Sequence, residues 1–444
     1  MSDRTVPVHG SDRTVPMHGS ELAVPARGQM LDMGCRCCGR RDVELVIDLG
    51  DQPHCNRLVR PDMPAGADPA YPLRVGFCRT CTMVQIDHTI PKESMFSDYP
   101  YVSGTTKTLP AHFAETSARI AKMHGVKPGE LVVDIGSNDG TWLKQWAPFG
   151  TRVLGVEAAE NVANIALAAG VPTWNRFFNE ESCRDILAEH GPARVITASG
   201  VFFHLEELHS VVKGIALLLA KDGVFVVQAI YLGGMVENTA FDQVYHEHLC
   251  YYTLKSLSAL LEQHGLEVFE ANLVNIHGGS IEAHVGRKGM RPVGESVQKM
   301  AAHETERGYG EIDTYRRLAG NVVTLRAKLV ALLEEYRAAG KSVWAYGAPA
   351  KGATLLNSFG IGPDLVQKAV ERNPMKVGLA IPGVRIPILE EDGQQPGAYL
   401  VLAWNFIDEF LKNPANIAYM AAGGEFIVPI PKVAVVGREG TRHP

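Results

Sequence analysis

The stretch that most constrains this chain is LVVDIGSNDGTWL, Leu131 to Leu143. An apolar, partly β-branched run leads to Asp134, and Gly136 and Gly140 bracket a polar turn. Such a short run suits a strand buried in a parallel sheet. Gly136 permits a tight turn and close approach to a ligand. Ser137, Asn138 and Asp139 are helix-capping types, so a helix is expected nearby. Strand, glycine turn and helix predict the first βα turn of a doubly wound sheet, where such folds hold ligands. The next strand, TRVLGVEAAE, ends at Glu157, and an acid at that tip suits ribose hydroxyls. The turn G-S-N-D-G lacks the G-x-G-x-x-G spacing of a dinucleotide site.

This turn resembles that of S-adenosylmethionine (SAM)-dependent methyltransferases, where it lies beside the amino-acid end of the cofactor. The resemblance makes Asp134, Gly136, Asn138, Asp139 and Glu157 the candidate cofactor residues. Strand and helix go on alternating: VPTWNRFF is a third unit, Val195 to Ala198 a fourth strand with His204 just past it, and GVFVVQAIYL a fifth.

At 444 residues the chain has room for about three domains. A net charge of −6 without a long basic block disfavours a nucleic-acid partner, and no apolar run is long enough to span a membrane. With no signal-peptide core, a cytoplasmic protein with reduced thiols is expected. The first residues repeat SDRTVPVHG as SDRTVPMHG and are polar, so residues 1–34 are expected to form a disordered tail, with His9 and His18 not a metal site.

Cys35 and Cys38 form one C-x2-C knuckle, Cys78 and Cys81 a second. Two such knuckles can hold one ion tetrahedrally through four thiolates, which leaves no open position, so a structural zinc in a ribbon over residues 35–97 is expected. A loop rich in aromatics, with Tyr99, follows. The middle domain is expected over 98–290. In it FDQVYHEHLCYYTL packs together Tyr245, His246, Glu247 and His248, and NIHGGSIEAHV sets His277 in a glycine-rich turn. Such density suggests proton chemistry; read as a strand, the segment would place His246 and His248 on one face, where they could instead bind metal. Residues 291–444 comprise a linking helix that ends at Gly340 and a Rossmann-like domain opening with SVWAYGAPAKG. Free amides and Lys351 at its helix start could hold a pyrophosphate.

A four-cysteine ribbon, a SAM domain and a Rossmann-like domain in this order resemble the three-domain sugar C-methyltransferases, which act on nucleotide-linked 4-keto deoxysugars in antibiotic and surface-polysaccharide pathways. The carriers are the two knuckles, DIGSNDG, the Tyr-His-Glu-His run, HGGS and YGAPAKG, over about residues 35 to 440. The resemblance implies that Tyr99, His204, Tyr245, Glu247 and His248 surround the sugar. It also implies that Lys351 and His277 bind the substrate, and that a structural Zn2+ ribbon forms a wall of the pocket by placing Tyr99.

The implied reaction is removal of a proton beside the ketone by a base, then attack of the enolate on the SAM methyl. His248 is the expected base, Glu247 its orienter or a holder of a sugar hydroxyl, and Tyr99, Tyr245 and His204 donors or positioners. A dTDP-linked 4-keto-6-deoxy sugar and a monomeric enzyme are expected. The competing readings are a small-molecule O- or N-methyltransferase, a zinc-ribbon RNA-binding methyltransferase and a non-catalytic scaffold that has lost SAM binding.

Overall fold

The computed structural model describes residues 13–14, 22–64, 68–105, 108–276 and 278–444. His9, His18 and His277 lie outside the described residues. The architecture is α/β, with three sheets in chain order.

The first sheet holds β1 (Arg13–Thr14), β2 (Val43–Pro53), β3 (Pro69–Cys78) and β4 (Val84–Ile86), all antiparallel. The expected tail is not wholly without structure. Arg13–Thr14 of the repeat pairs with Pro69 and Ala70, and Leu31 and Met33 are buried in the core ahead of the first cysteine. Backbone on the open side of β3 gives the polar repeat a hydrogen-bonding partner that it lacks alone.

The middle sheet has β5 (Leu131–Ile135), β6 (Arg152–Glu157), β7 (Thr173–Asn175), β8 (Ala193–Ser199) and β9 (Leu219–Ile230) in parallel. A two-residue strand, β10 (Cys250–Tyr251), leaves this domain and pairs with β4, so the ribbon and the middle domain share a sheet. Then β11 (Leu266–Val274) and β12 (Ser280–Arg287) complete the order β11-β12-β9-β8-β5-β6-β7, with β12 antiparallel to both neighbours. Strands β6 and β7 are added on one side of β5, and β8 and β9 on the other, so a crevice opens beyond the carboxyl ends of the parallel pair β5 and β8. All five residues of β5 are buried, as its apolar run requires.

A 27-residue helix, Ile312–Ala338, leads to the third sheet. Its inner face buries Tyr315, Leu318, Val322, Leu325, Leu329 and Leu332 at helical spacing. Its Arg316, with Arg79, neutralises Glu44, a fully buried acid on β2. That sheet comprises β13 (Val343–Tyr346), β14 (Ala369–Val370), β15 (Ile388–Leu389), β16 (Ala398–Val401), β17 (Glu425–Val428), β18 (Ala434–Gly437) and β19 (Gly440–Arg442). Its order is β15-β14-β13-β16-β17-β18-β19, parallel as far as β17. The ribbon meets it through backbone bonds between Val59 and Ala380 and through an ion pair of Asp68 with Arg385. Among the described residues no helix is long and apolar enough to cross a membrane.

Candidate active site

All eight cysteines lie among the described residues and none is in a disulfide. The sulfurs of Cys35, Cys38, Cys78 and Cys81 lie within 4.8 Å of one another, with Cys35–Cys81 at 3.5 Å and Cys38–Cys78 at 3.6 Å. Four sulfurs about 2.3 Å from one ion would sit roughly 3.8 Å apart, so this set fits a tetrahedral zinc. The amide of Cys37 and the side chain of Gln85 point N–H groups at the Cys35 sulfur, as a thiolate requires. Cys37 is buried and stands outside the four.

Beyond the carboxyl ends of β5 and β8 lies a cavity of about 460 Å³. Gly136, Asn138 and Glu157 are among the residues that line it. Gly136 has φ +63°, and a Cβ there would come 2.8 Å from Val201. The Glu157 carboxylate accepts one backbone N–H on each oxygen, from Ala159 and Asn138, both at 2.8 Å. A carboxylate has about four acceptor positions, so capacity remains for a diol. Burial pushes the Glu157 carboxyl up, against the backbone N–H groups.

Asp134 and Asp139 are not among the cavity-lining residues. Asp134 accepts from Thr197 Oγ1 at 2.6 Å, and burial, with the charge of Glu157, pushes it up to about 7. Asp139 accepts the amide and hydroxyl of Thr141, the first residue of the helix Thr141–Lys144, and also takes the amide of Gly104. It thereby pins the loop that carries Tyr101 and Ser103 over the crevice.

Tyr99, His204, Tyr245 and His248 line the same cavity. Tyr99 is placed by Asn161, which bonds both its amide and its carbonyl. His204 is sandwiched between Phe96 and His248, with ring centroids 5.2 Å away on each side. The Tyr245 and His248 rings are 3.8 Å apart. His248 Nδ1 is 2.8 Å from the carbonyl of Gln243. A carbonyl only accepts, so Nδ1 carries the proton and Nε2 is the acceptor of the neutral ring.

The Tyr-His-Glu-His segment is a turn, not a strand. His246 therefore does not share a face with His248: its Nε2 points at the carbonyl of Pro72, and its ring packs on Tyr71 and His88. Glu247 is fully buried and is not among the cavity-lining residues. It accepts from Tyr99 Oη at 3.0 Å, and it meets His54 and Asn56, which sequence reading did not single out. Nothing in Pro53-His54-Cys55-Asn56 marks those two residues as part of a site. Burial and the charge of Glu247 push the Tyr99 hydroxyl well above its ordinary range, so it stays a phenol.

Lys351, at the start of helix Ala350–Phe359, also lines the cavity. Its Nζ donates to Asn405 and lies 4.1 Å from the centre of the Trp404 ring. Trp404 donates to the buried Asp242 at 2.7 Å. Burial pulls the Lys351 ammonium down, and Asp242 opposes this.

Strand order, a glycine turn after the first strand and an acid at the tip of the second together define a SAM-dependent methyltransferase domain. Family profiles match the chain in the same sequence: a zinc binding domain over residues 35–96, a methyltransferase domain over 109–271 and a C-methyltransferase C-terminal domain over 275–431. The C-methyltransferase NovU of Streptomyces niveus is 35% identical over 411 residues, 92% of this chain and 97% of that protein. The chain belongs to the three-domain SAM-dependent C-methyltransferase family. Solved structures with a related fold include magnesium protoporphyrin IX methyltransferase from Synechocystis PCC 6803 with bound SAM, at 15% identity over 40% of this chain and 79% of that one, TM-score 0.31. Another is a SAM-dependent methyltransferase from Clostridium acetobutylicum ATCC 824, at 10% identity over 41% and 94%, TM-score 0.33.

Proposed function

We propose that this enzyme methylates a nucleotide-linked 4-keto-6-deoxy sugar, dTDP-linked, at the carbon beside its ketone, in deoxysugar and antibiotic biosynthesis. The observation that carries the reading is the content of one cavity, which Gly136 of the glycine turn, Glu157, Tyr99, His204, Tyr245, His248 and Lys351 all line. When bound beside the glycine turn, SAM supplies an electrophilic methyl group. Glu157 would accept the ribose hydroxyls, and Gly136 leaves room for the cofactor to lie against the backbone.

Carbon becomes nucleophilic only after losing a proton beside a carbonyl. His248 Nε2 takes that proton, while Gln243 holds the opposite nitrogen and so keeps the ring in its accepting tautomer. General-base help of this kind is worth about 10² to 10⁴ in rate. His204 and Tyr245 donate to the oxygen that gains charge as the enolate forms. Tyr99 has its hydrogen turned toward Glu247 and presents oxygen lone pairs to a sugar hydroxyl. Lys351 and the amides of its turn take the phosphates.

The test is mass spectrometry after incubation with SAM and a panel of dTDP-4-keto sugars in heavy water. One added methyl with deuterium exchange beside the ketone is expected. His248→Asn should abolish both while SAM binding stays within twofold. Methylation of substrates that lack the ketone, or near-normal turnover in that variant, refutes the reading.

A further inference from the structure

Glu247 is wholly enclosed, although Tyr245 and His248 on either side of it reach the cavity. Sealing a carboxylate away from water costs several kcal/mol unless hydrogen bonds replace its hydration. Here two of the donors come from outside its own domain. Asn56 Nδ2 lies 2.6 Å from Oε1 and His54 Nε2 3.0 Å from the same oxygen, both from the ribbon loop that follows β2. Tyr99 Oη, 3.0 Å from Oε2, completes the set. His54, Cys55 and Glu247 also stand close enough to share an ion, but Asn56 and Tyr99, which are not among that group, already meet both oxygens of Glu247 as hydrogen-bond donors.

We infer that His54 and Asn56 are positioning residues: the ribbon clasps one oxygen of Glu247 so that the other fixes the Tyr99 hydroxyl at the cavity wall. The ribbon then contributes to catalysis through named side chains, beyond forming a wall. As regards turnover, the inference rests on the proposed reaction; the clasp itself does not.

The titratable groups that face Glu247 are His54 and Cys55 from the ribbon, Tyr99 from the following loop, His204 and Tyr245 from the middle domain, and Lys376 from the third. Burial pushes the Glu247 carboxyl up, but His54, His204 and Asn56 outweigh it and hold the group below its ordinary range. Removing the clasp leaves burial less opposed, so the carboxyl protonates at higher pH and its hold on Tyr99 loses the strength of a charged acceptor.

The experiment uses the full-length zinc-loaded enzyme with His54→Ala, Asn56→Ala, the double variant, and His54→Gln, which keeps an N–H donor. Displacement of a positioned group by about 1 Å costs on the order of 10²-fold, and a loss of that size in kcat is expected for the double variant. The acid limb of its pH profile should move up, SAM binding by calorimetry should stay within twofold, and His54→Gln should recover most of the loss. Carboxyl-labelled glutamate NMR, assigned by Glu247→Gln, reads the clasp directly: the Glu247 midpoint should rise in the double variant. An unmoved midpoint overturns the inference, whatever the turnover. If the wild type turns over no keto sugar while the midpoint still rises, the clasp stands and the proposed reaction falls.

Discussion

Replacing Glu282 with Gln should destabilise the middle domain by an amount that can be worked from its surroundings. Glu282 sits on β12, fully buried. Arg119 meets it with both terminal nitrogens, at 2.7 and 2.8 Å. His284 Nε2 lies 3.0 Å from one oxygen, and Gln228 donates to the other at 2.8 Å. Gln228 in turn accepts from Ser199, which lines the cavity, so the acid braces the crevice floor. Burial pushes the Glu282 carboxyl up, but His284, Arg119 and Gln228 outweigh it and bring it from the ordinary 4.5 down to about 2. At roughly 1.4 kcal/mol per pH unit, that drop corresponds to about 3 kcal/mol of stability near neutral pH.

The sign follows from the direction of the shift. A carboxyl depressed in the folded state stabilises fully above its unfolded value, and the contribution fades as pH falls from 4.5 toward 2. By pH 4 about 1 kcal/mol of it should be gone. Glu282→Gln has no such titration, so its deficit should be largest at pH 7.5 and smaller at pH 4. Urea unfolding followed by tryptophan fluorescence reads this through Trp142 and Trp146, both buried in the same domain. With a slope of about 2 kcal/mol per molar, the midpoint should fall by roughly 1 to 1.5 M at pH 7.5. An unchanged midpoint there, or a gap that widens on acidification, refutes the reasoning.

Zinc should be present at one ion per chain by elemental analysis and be lost in Cys78→Ser, whose ribbon should become protease-sensitive; an equally resistant metal-free ribbon counts against a structural ion. Glu157→Ala should weaken SAM binding about 10- to 100-fold in calorimetry, the worth of hydrogen bonds to a charged acceptor. Binding unchanged by that substitution would show that Glu157 does not hold the ribose. Lys351→Ala should raise KM for the nucleotide sugar by about 10-fold or more, with kcat little altered, and an unchanged KM removes the phosphate role.

The elements that hold the site were legible where the deciding forces act over a few residues. The apolar run Leu131–Ile135 is a strand, Val343–Tyr346 begins the third sheet, and the long helix runs out at Ala338 beside Gly340. The two C-x2-C pairs converge because each knuckle presets two sulfurs, so that only one long-range meeting is needed. Tyr245, Glu247 and His248 stood out as a cluster, but their division of labour did not. A turn in place of a strand sends His246 toward the ribbon, leaves His248 at the cavity and buries Glu247 behind it.

LVVDIGSNDGTWL thus specified its own strand, its left-handed glycine turn and the crevice beside it, because apolar periodicity and glycine backbone freedom are local properties. Which of the three acids proposed for the cofactor face the crevice was decided by tertiary contacts. Asp134 is taken up by Thr197, and Asp139 by Thr141 and Gly104, while Glu157 lines the cavity. The partners of Glu247 likewise come from 191 and 193 residues away along the chain. Burying a charge demands donors, and only the docking of ribbon against middle domain determines which donors arrive.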